Sequence, residues 1–395
     1  MTAKPPNYRV RVLALATAAG FAAVGIVSLG SDTQAHSNCN SRFNYTNDVF
    51  PVIRDHCASC HLPGGPAPMS LVNFKDAQQW ASSVRDELTT ERMPPWHVDP
   101  ASPPVRGAHP MSARDINMVV DWASCNTPRA PLGDVAAKPV PTITFTPQWK
   151  LGPPDLKIEM PGAHTVAAAD DEDTIDLDVP TGLTEEKWVK AVDVMPGMAP
   201  LLRDAVVSVV NGPVLALWQP GGDAVAAPSG AAFHLVAGAS LHLQMHYKKH
   251  YLDAGSAMAD ASTVGLYFTD APASGRELRS LAIDGPGAAP EATDTETFSA
   301  TLPGAGRIVA LRPMLDRAYD SLDVTAITSA GRRIALVKLR SAWPQWFRRY
   351  WLEESIELAG GTTIEVRATP HVLDPEDPKE PRRFPLQIGL DYVPQ

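Results

Sequence analysis

Cys57-Ala58-Ser59-Cys60-His61 is the stretch of this chain with the clearest capacity for chemistry. Two cysteines three apart, followed at once by histidine, form the C-x-x-C-H pattern of covalent c-type haem attachment. Each thiol can form a thioether to one vinyl group of a single haem. The histidine then lies under the iron as an axial ligand. A redox C-x-x-C, or half of a zinc site that happens to precede a histidine, is the other chemistry these residue types could serve.

The second axial ligand is expected downstream. Met93, in Arg92-Met93-Pro94-Pro95-Trp96, offers a thioether on a stiff segment, because proline fixes its own φ and restricts the residue before it. Met69, after Gly64-Gly65-Pro66-Ala67-Pro68, is the rival and is expected to pack near the haem edge. His97 is a further candidate, and His56 is expected to face solvent or a propionate.

The chain has four cysteines. With Cys57 and Cys60 assigned to haem, Cys39 and Cys125 remain, one on each side of the motif. In an oxidising compartment such a pair joins, so a Cys39–Cys125 disulfide is expected, with two free thiols as the alternative. The N-terminus points to the same compartment. Lys4, Arg9 and Arg11 precede an apolar run from Val12 to Gly30, and Thr33-Gln34-Ala35 offers a small-residue cleavage site. Residues 1–35 read as a secretory signal cleaved after Ala35, which places the mature chain in the periplasm. An uncleaved membrane anchor is the alternative.

The elements that must position these residues follow from periodicity. Asn47 to His56 reads as a short helix leading into the motif. From Phe74 to Glu91, residues Phe74, Ala77, Trp80, Ala81, Val84 and Leu88 recur at helical spacing. Ser112, with Asp115 three residues on, starts another helix striped by Ile116, Val119, Val120 and Ala123. Residues 128–141 are rich in proline and alanine and read as a linker. Beyond them the pattern changes to short alternating segments such as 205–210, 214–218, 241–247, 264–269, 322–328, 333–339, 363–368 and 386–393. Pro-Gly and Gly-Gly turns separate them, as in an all-β architecture. The net charge of -10, without a lysine or arginine run, argues against nucleic acid as a partner.

Leu241-His242-Leu243-Gln244-Met245-His246-Tyr247 is the one histidine-rich strand. His242 and His246 share a face but lie about 13 Å apart, so one ion cannot take both from a straight strand. Trp343–Trp351, with Arg348 and Arg349, reads as a packed strand with exposed charge.

Two resemblances accompany this reading. The run from Cys57 to Met69, with Trp80 and Met93-Pro-Pro-Trp-His97, resembles a bacterial cytochrome c domain. Residues 145–395 resemble the copper type II, ascorbate-dependent monooxygenases, the family of peptidylglycine α-hydroxylating monooxygenase and dopamine β-monooxygenase. The segments that carry this second resemblance are Trp149-Lys-Leu-Gly-Pro-Pro-Asp-Leu156, Val179-Pro-Thr-Gly-Leu183, Trp188-Val-Lys-Ala-Val192, Pro196-Gly197, Gln244-Met-His-Tyr247 and Val264-Gly-Leu-Tyr-Phe268.

Together they imply a multidomain chain, a small all-α cytochrome c domain followed by two all-β jelly-roll sandwich domains. The boundaries would be 39–127, 142–272 and 273–395. The family's ligand positions fall here on Arg203 and Asp204, on Met314 and Asp316, and near Leu386–Gln387. Only His246 is still a histidine, as a residual copper ligand. One haem c is therefore expected and copper is not, unless a relocated site uses His234, His242, His246 or His250. The expected function is electron transfer by one haem, with the sandwiches serving docking or binding. The expected partner is a periplasmic electron-transfer protein, with a copper-bearing monooxygenase-like subunit as one form it could take. The alternative is an active copper-dependent hydroxylase fed by the haem.

Overall fold

The computed structural model describes residues 39–108, 110–131, 133, 136–222, 224–272, 277–287, 294–372 and 383–395. The signal segment and its cleavage point at Ala35 lie outside the described residues.

The helices are few and short. A π-type turn at Tyr45–Val49 runs into α1, Phe50–His56. The side chain of Asn44 starts this turn by accepting the Asn47 N–H. The expected long helix from Phe74 breaks at Trp80 into α2, Phe74–Gln79, and α3, Ala81–Thr89. Trp80 leaves helical geometry there, with ψ of 7°. α4, Ala113–Ser124, begins at Ser112, whose hydroxyl accepts the Asp115 N–H as expected. Tyr45, Ile53, Leu71, Ala77, Val119 and Trp122 form their shared apolar cluster. Cys39 and Cys125 are joined in a disulfide, so the ends of this helical segment are tied together.

The rest is strands. The first ten are β1 Leu156–Glu159, β2 His164–Val166, β3 Glu172–Pro180, β4 Lys187–Met195, β5 Leu202–Val209, β6 Val214–Trp218, β7 Phe233–Leu235, β8 Ser240–Lys248, β9 Met258–Asp260 and β10 Thr263–Thr269. Eight follow: β11 Arg279–Asp284, β12 Glu296–Thr301, β13 Gly306–Met314, β14 Tyr319–Ile327, β15 Arg333–Ala342, β16 Tyr350–Leu358, β17 Thr363–Pro370 and β18 Gln387–Pro394. They form four four-stranded sheets and the small β2-β9 pair, with every pairing antiparallel. Four sheets of this size give a propeller-like count. Each one, however, interleaves distant strands, in the orders β1-β10-β4-β7, β3-β8-β5-β6, β11-β18-β13-β16 and β12-β17-β14-β15. Alternation explains the layering. In β8, Leu241, Leu243, Met245 and Tyr247 are fully buried, while His242 and Gln244 point to the wetter face.

The expected fold class is corrected by this architecture. The protein is predominantly β, 38% strand against 13% helix, and has no separate all-α domain among the described residues. Residues Asn38–Gln395 form one compact unit. The reason is visible at residues 96–108, which should belong to the helical segment but run along the sheets instead. Val98 pairs with Leu339 and Val105 with Leu352. The Arg106 N–H donates to the Trp351 carbonyl at 2.7 Å, and the Glu353 N–H to Pro104 at 2.9 Å. Val105 is consequently part of the apolar cluster under β14, β15 and β17. Each four-stranded sheet lies wholly within residues 142–272 or wholly within 273–395, while the apolar clusters of the two halves touch. The cluster built from β4, β5, β8 and β10 also takes in Val309, Ala310, Trp351 and Val393 from the second half.

Candidate functional site

Helix α1 delivers the cysteine motif. Its last turn is closed by the Cys57 N–H donating to Ile53 at 2.8 Å. The chain then coils back on itself, with the His61 N–H donating to the Cys57 carbonyl at 2.9 Å. The loop that follows wraps the Cys60 carbonyl, which accepts the Ala67 N–H at 3.2 Å. Only glycine fits at position 65, because a Cβ there would lie 2.7 Å from the Cys60 oxygen. The sequence thus brings Cys57, Cys60 and His61 into one tight turn, and both thiols are free.

Burial shapes the chemistry of these groups. It pushes the Cys57 thiol up to about 12, with the neighbouring Cys60 adding to the effect. It raises the Cys60 thiol as well. It lowers the His61 imidazole, against a hydrogen bond to Met69 that works the other way. That bond decides the tautomer. His61 Nδ1 lies 3.1 Å from the Met69 carbonyl oxygen, which can only accept. The proton is therefore on Nδ1, and Nε2 keeps its lone pair for a metal. The donor set of two thiols and one correctly protonated imidazole suits a covalently tethered haem.

The body of strands closes over this turn. Cys60 Sγ meets the Pro220 carbonyl at 3.5 Å. On the other side of the same 219–222 turn, the Trp96 indole donates to Gln219 Oε1 at 3.2 Å. Trp96 also faces Trp346 edge-on and has a left-handed φ of 66°. Met93 lies just before Trp96, after α3, with its N–H donated to Glu87 at 3.2 Å. Met69 supplies its backbone oxygen to His61, a role that residue type alone does not show. His97 Nε2 is buried without a hydrogen-bond partner, and its imidazole is lowered chiefly by burial. Trp96, Trp218, Phe347 and Arg348 wall a cleft beside the 219–222 turn.

The positions expected from the copper enzymes hold something else. His246 is buried, with Nδ1 2.8 Å from Asp204 and Nε2 2.8 Å from Glu172. Arg383 clamps Asp204 with contacts of 2.6 and 3.0 Å. Both ring nitrogens of His246 are thereby committed to carboxylates. Burial tends to raise Glu172, but hydrogen bonds from His246 and Lys248 prevail and hold it below its usual value. Arg203 turns away to the Pro66 carbonyl. Met314 is paired across the sheet with Gln387, whose amide donates to Asp284 at 2.7 Å. Asp316 accepts from the Tyr319 hydroxyl at 2.8 Å.

The other histidines do not converge on a relocated site. His234 faces Glu186 at 3.0 Å, His242 faces Asp178 at 2.8 Å, and His250 meets Pro66 at 2.8 Å. Among the described residues, no group of three or more His, Cys, Asp or Glu could hold a metal ion. The relocated copper site weighed as an alternative finds no such group among the described residues. Arg349 also departs from expectation. It is buried rather than exposed, and with Arg312 it surrounds the fully buried Asp391.

No family model matches this chain, and no curated protein matches it. Among solved structures, it is similar to the major capsid protein P2 from bacteriophage PM2, at 9% identity and a TM-score of 0.30, over 60% of this chain and 96% of that one. It is also similar to a peptide-N(4)-(N-acetyl-β-D-glucosaminyl) asparagine amidase, at 8% identity and a TM-score of 0.29, over the same shares. Likenesses at this level carry no argument about what the chain does. The resemblance to a cytochrome c domain joined to a copper monooxygenase is therefore corrected. No family model and no curated protein supports it, and among the described residues the predominantly β unit has no separate helical domain.

Among the described residues, no helix is long and apolar enough to cross a membrane. The Cys39–Cys125 disulfide is compatible with an exported protein.

Proposed function

We propose that this chain carries one covalent haem, tethered by thioethers to Cys57 and Cys60 with His61 as an axial ligand, and transfers electrons outside the cytoplasm. The observation that carries this reading is the hydrogen bond from His61 Nδ1 to Met69, which leaves Nε2 ready for iron beside two free thiols. The disulfide strengthens it. Cys39 and Cys125 are used structurally, while the pair in the motif stays reduced. Bound haem supplies a one-electron iron couple whose potential depends on the axial ligands and their hydrogen bonds.

The residues of this chain do the rest. Cys57 and Cys60 fix the group in place, and Met69 orients His61. The 219–222 turn packs against Cys60, and Trp96 holds that turn through Gln219. Met93 is the proposed second ligand, on a segment that joins this site through Trp96. The β-rich body is proposed as the surface on which an electron-exchanging protein docks.

The test is to produce the full chain in a host that ligates haem outside the cytoplasm and to record its visible spectrum after extraction with acid acetone. Wild type should retain its haem, and C57A/C60A should lose it. M93A should keep the haem but lower the reduction potential, since methionine ligation raises it. A wild-type chain that loses all its haem to the extraction would overturn the reading.

A further inference from the structure

The loop between Cys60 and Met69 is gripped from outside by two side chains distant in sequence. Arg203 Nη1 donates to the Pro66 carbonyl at 2.7 Å. His250 Nε2 donates to the same oxygen at 2.8 Å. A carbonyl has two lone pairs, and here both are taken by side chains of the β-rich body. Pro66 itself is buried, so water does not compete for this oxygen.

The placement of Arg203 is specific. Strands β5 and β8 pair in register except between Leu202 and Asp204, where the ladder shifts. Arg203 is the extra residue at this bulge. A bulge takes one side chain out of the alternation and re-aims it, here toward the loop. The cost is visible: burial pushes the Arg203 guanidinium down to about 10. His250 is buried too and precedes the turn Tyr251–Asp253, with Asp253 3.9 Å from its other nitrogen. Neither arrangement is needed to complete a sheet.

From this geometry we infer that Arg203 and His250 are positioning residues for the axial histidine. They act through Pro66, three residues before Met69, and so hold the carbonyl that orients His61. The inference rests on the haem reading above. A hydrogen bond from Nδ1 makes an axial imidazole a stronger donor, which favours oxidised iron. With the clamp removed, the Met69 carbonyl is free to drift, the bond weakens and the reduction potential rises.

The experiment uses the full haem-bearing chain with Arg203→Met, Arg203→Lys, His250→Phe and the Met/Phe double variant. Covalent haem is quantified first, then the midpoint potential and the low-temperature electron paramagnetic resonance spectrum of the oxidised protein. The expected result is full haem content in the single variants, a raised potential and altered g-values. Lysine at 203 should restore the wild-type values in large part, because it can still donate to Pro66. The double variant, where it folds, should shift further than either single one. Single variants with full haem content and unchanged potential and spectrum would overturn the inference. Failure of wild type to hold haem would instead overturn the functional reading, so the two outcomes are distinguishable.

Discussion

Cys60 and Pro220 lie 160 residues apart in sequence, yet the cysteine sulfur is 3.5 Å from the proline carbonyl oxygen. The contact depends on the next residue. Gly221 has a φ of 76°, and a Cβ on it would lie 2.3 Å from that sulfur. Gly221→Ala therefore combines left-handed backbone strain, worth about 1–2 kcal/mol, with overpacking, worth about 1–3 kcal/mol. We predict a loss of about 2–5 kcal/mol of stability, read by urea unfolding. Replacing Gly230, which has a similar φ of 76° but open space around it, should cost only the backbone part.

Asp391 is fully buried between Arg312 and Arg349, and Ser280 donates to it as well. Removing the carboxylate leaves two buried guanidinium groups facing each other. Asp391→Ala should cost about 3–5 kcal/mol, the range for breaking a buried ion pair by removing one partner. Thermal unfolding with and without the substitution reads the loss directly. A cost under about 1 kcal/mol would mean that the pair is solvated in the protein.

Two kinds of group set the acid side of the stability profile. The His250 imidazole is lowered by burial, with the nearby Arg203 charge contributing. The unfolded chain therefore takes up a proton there at a pH where the fold does not. Stability is complete above the ordinary imidazole value of about 6.5 and declines as pH falls below it. Burial would raise Asp391, but the two arginines hold it below its ordinary value. Its contribution is present above the ordinary carboxylate range and is lost as pH falls beneath it. Unfolding measured from pH 8 to pH 3 should show a first decline near pH 6 and a steeper one below pH 4. His250→Phe should lessen the first, to which His97, lowered by burial, also contributes, without altering the second.

The Cys39–Cys125 disulfide closes a loop spanning 86 positions. Loops of this length correspond to about 4 kcal/mol in the chain-entropy account. Cys39→Ser with Cys125→Ser should lower the unfolding temperature of the helical segment. Peptide mapping without reductant should recover the two cysteines in one linked fragment from wild type.

Local features were legible in the sequence wherever one short stretch determines them. The alternation of Leu241 to Tyr247 placed β8, and Val214 to Trp218 matched β6 at both ends. Ser112 with Asp115 placed the start of α4. The cysteine arithmetic anticipated the Cys39–Cys125 bond. Relations made by packing were not legible. Nothing near Val98 or Val105 signals that this stretch will run beside β15 and β16. Arg203 gave no hint of its target, because a bulge is a property of pairing rather than of composition. His246 looked like a remnant ligand, since its partners Asp204, Glu172 and Arg383 come from three other places in the chain. The separate helical domain expected from resemblance failed for the same reason, because Val105 packs into the apolar cluster of the second half.

The central claim is that Cys57 and Cys60 bind haem covalently. The intact mass of the denatured full-length chain, produced with haem-ligation machinery outside the cytoplasm, tests it most directly. An increase of one haem per chain is expected, absent from C57A/C60A and present in C39S/C125S. A wild-type mass equal to that of the unmodified polypeptide would contradict it.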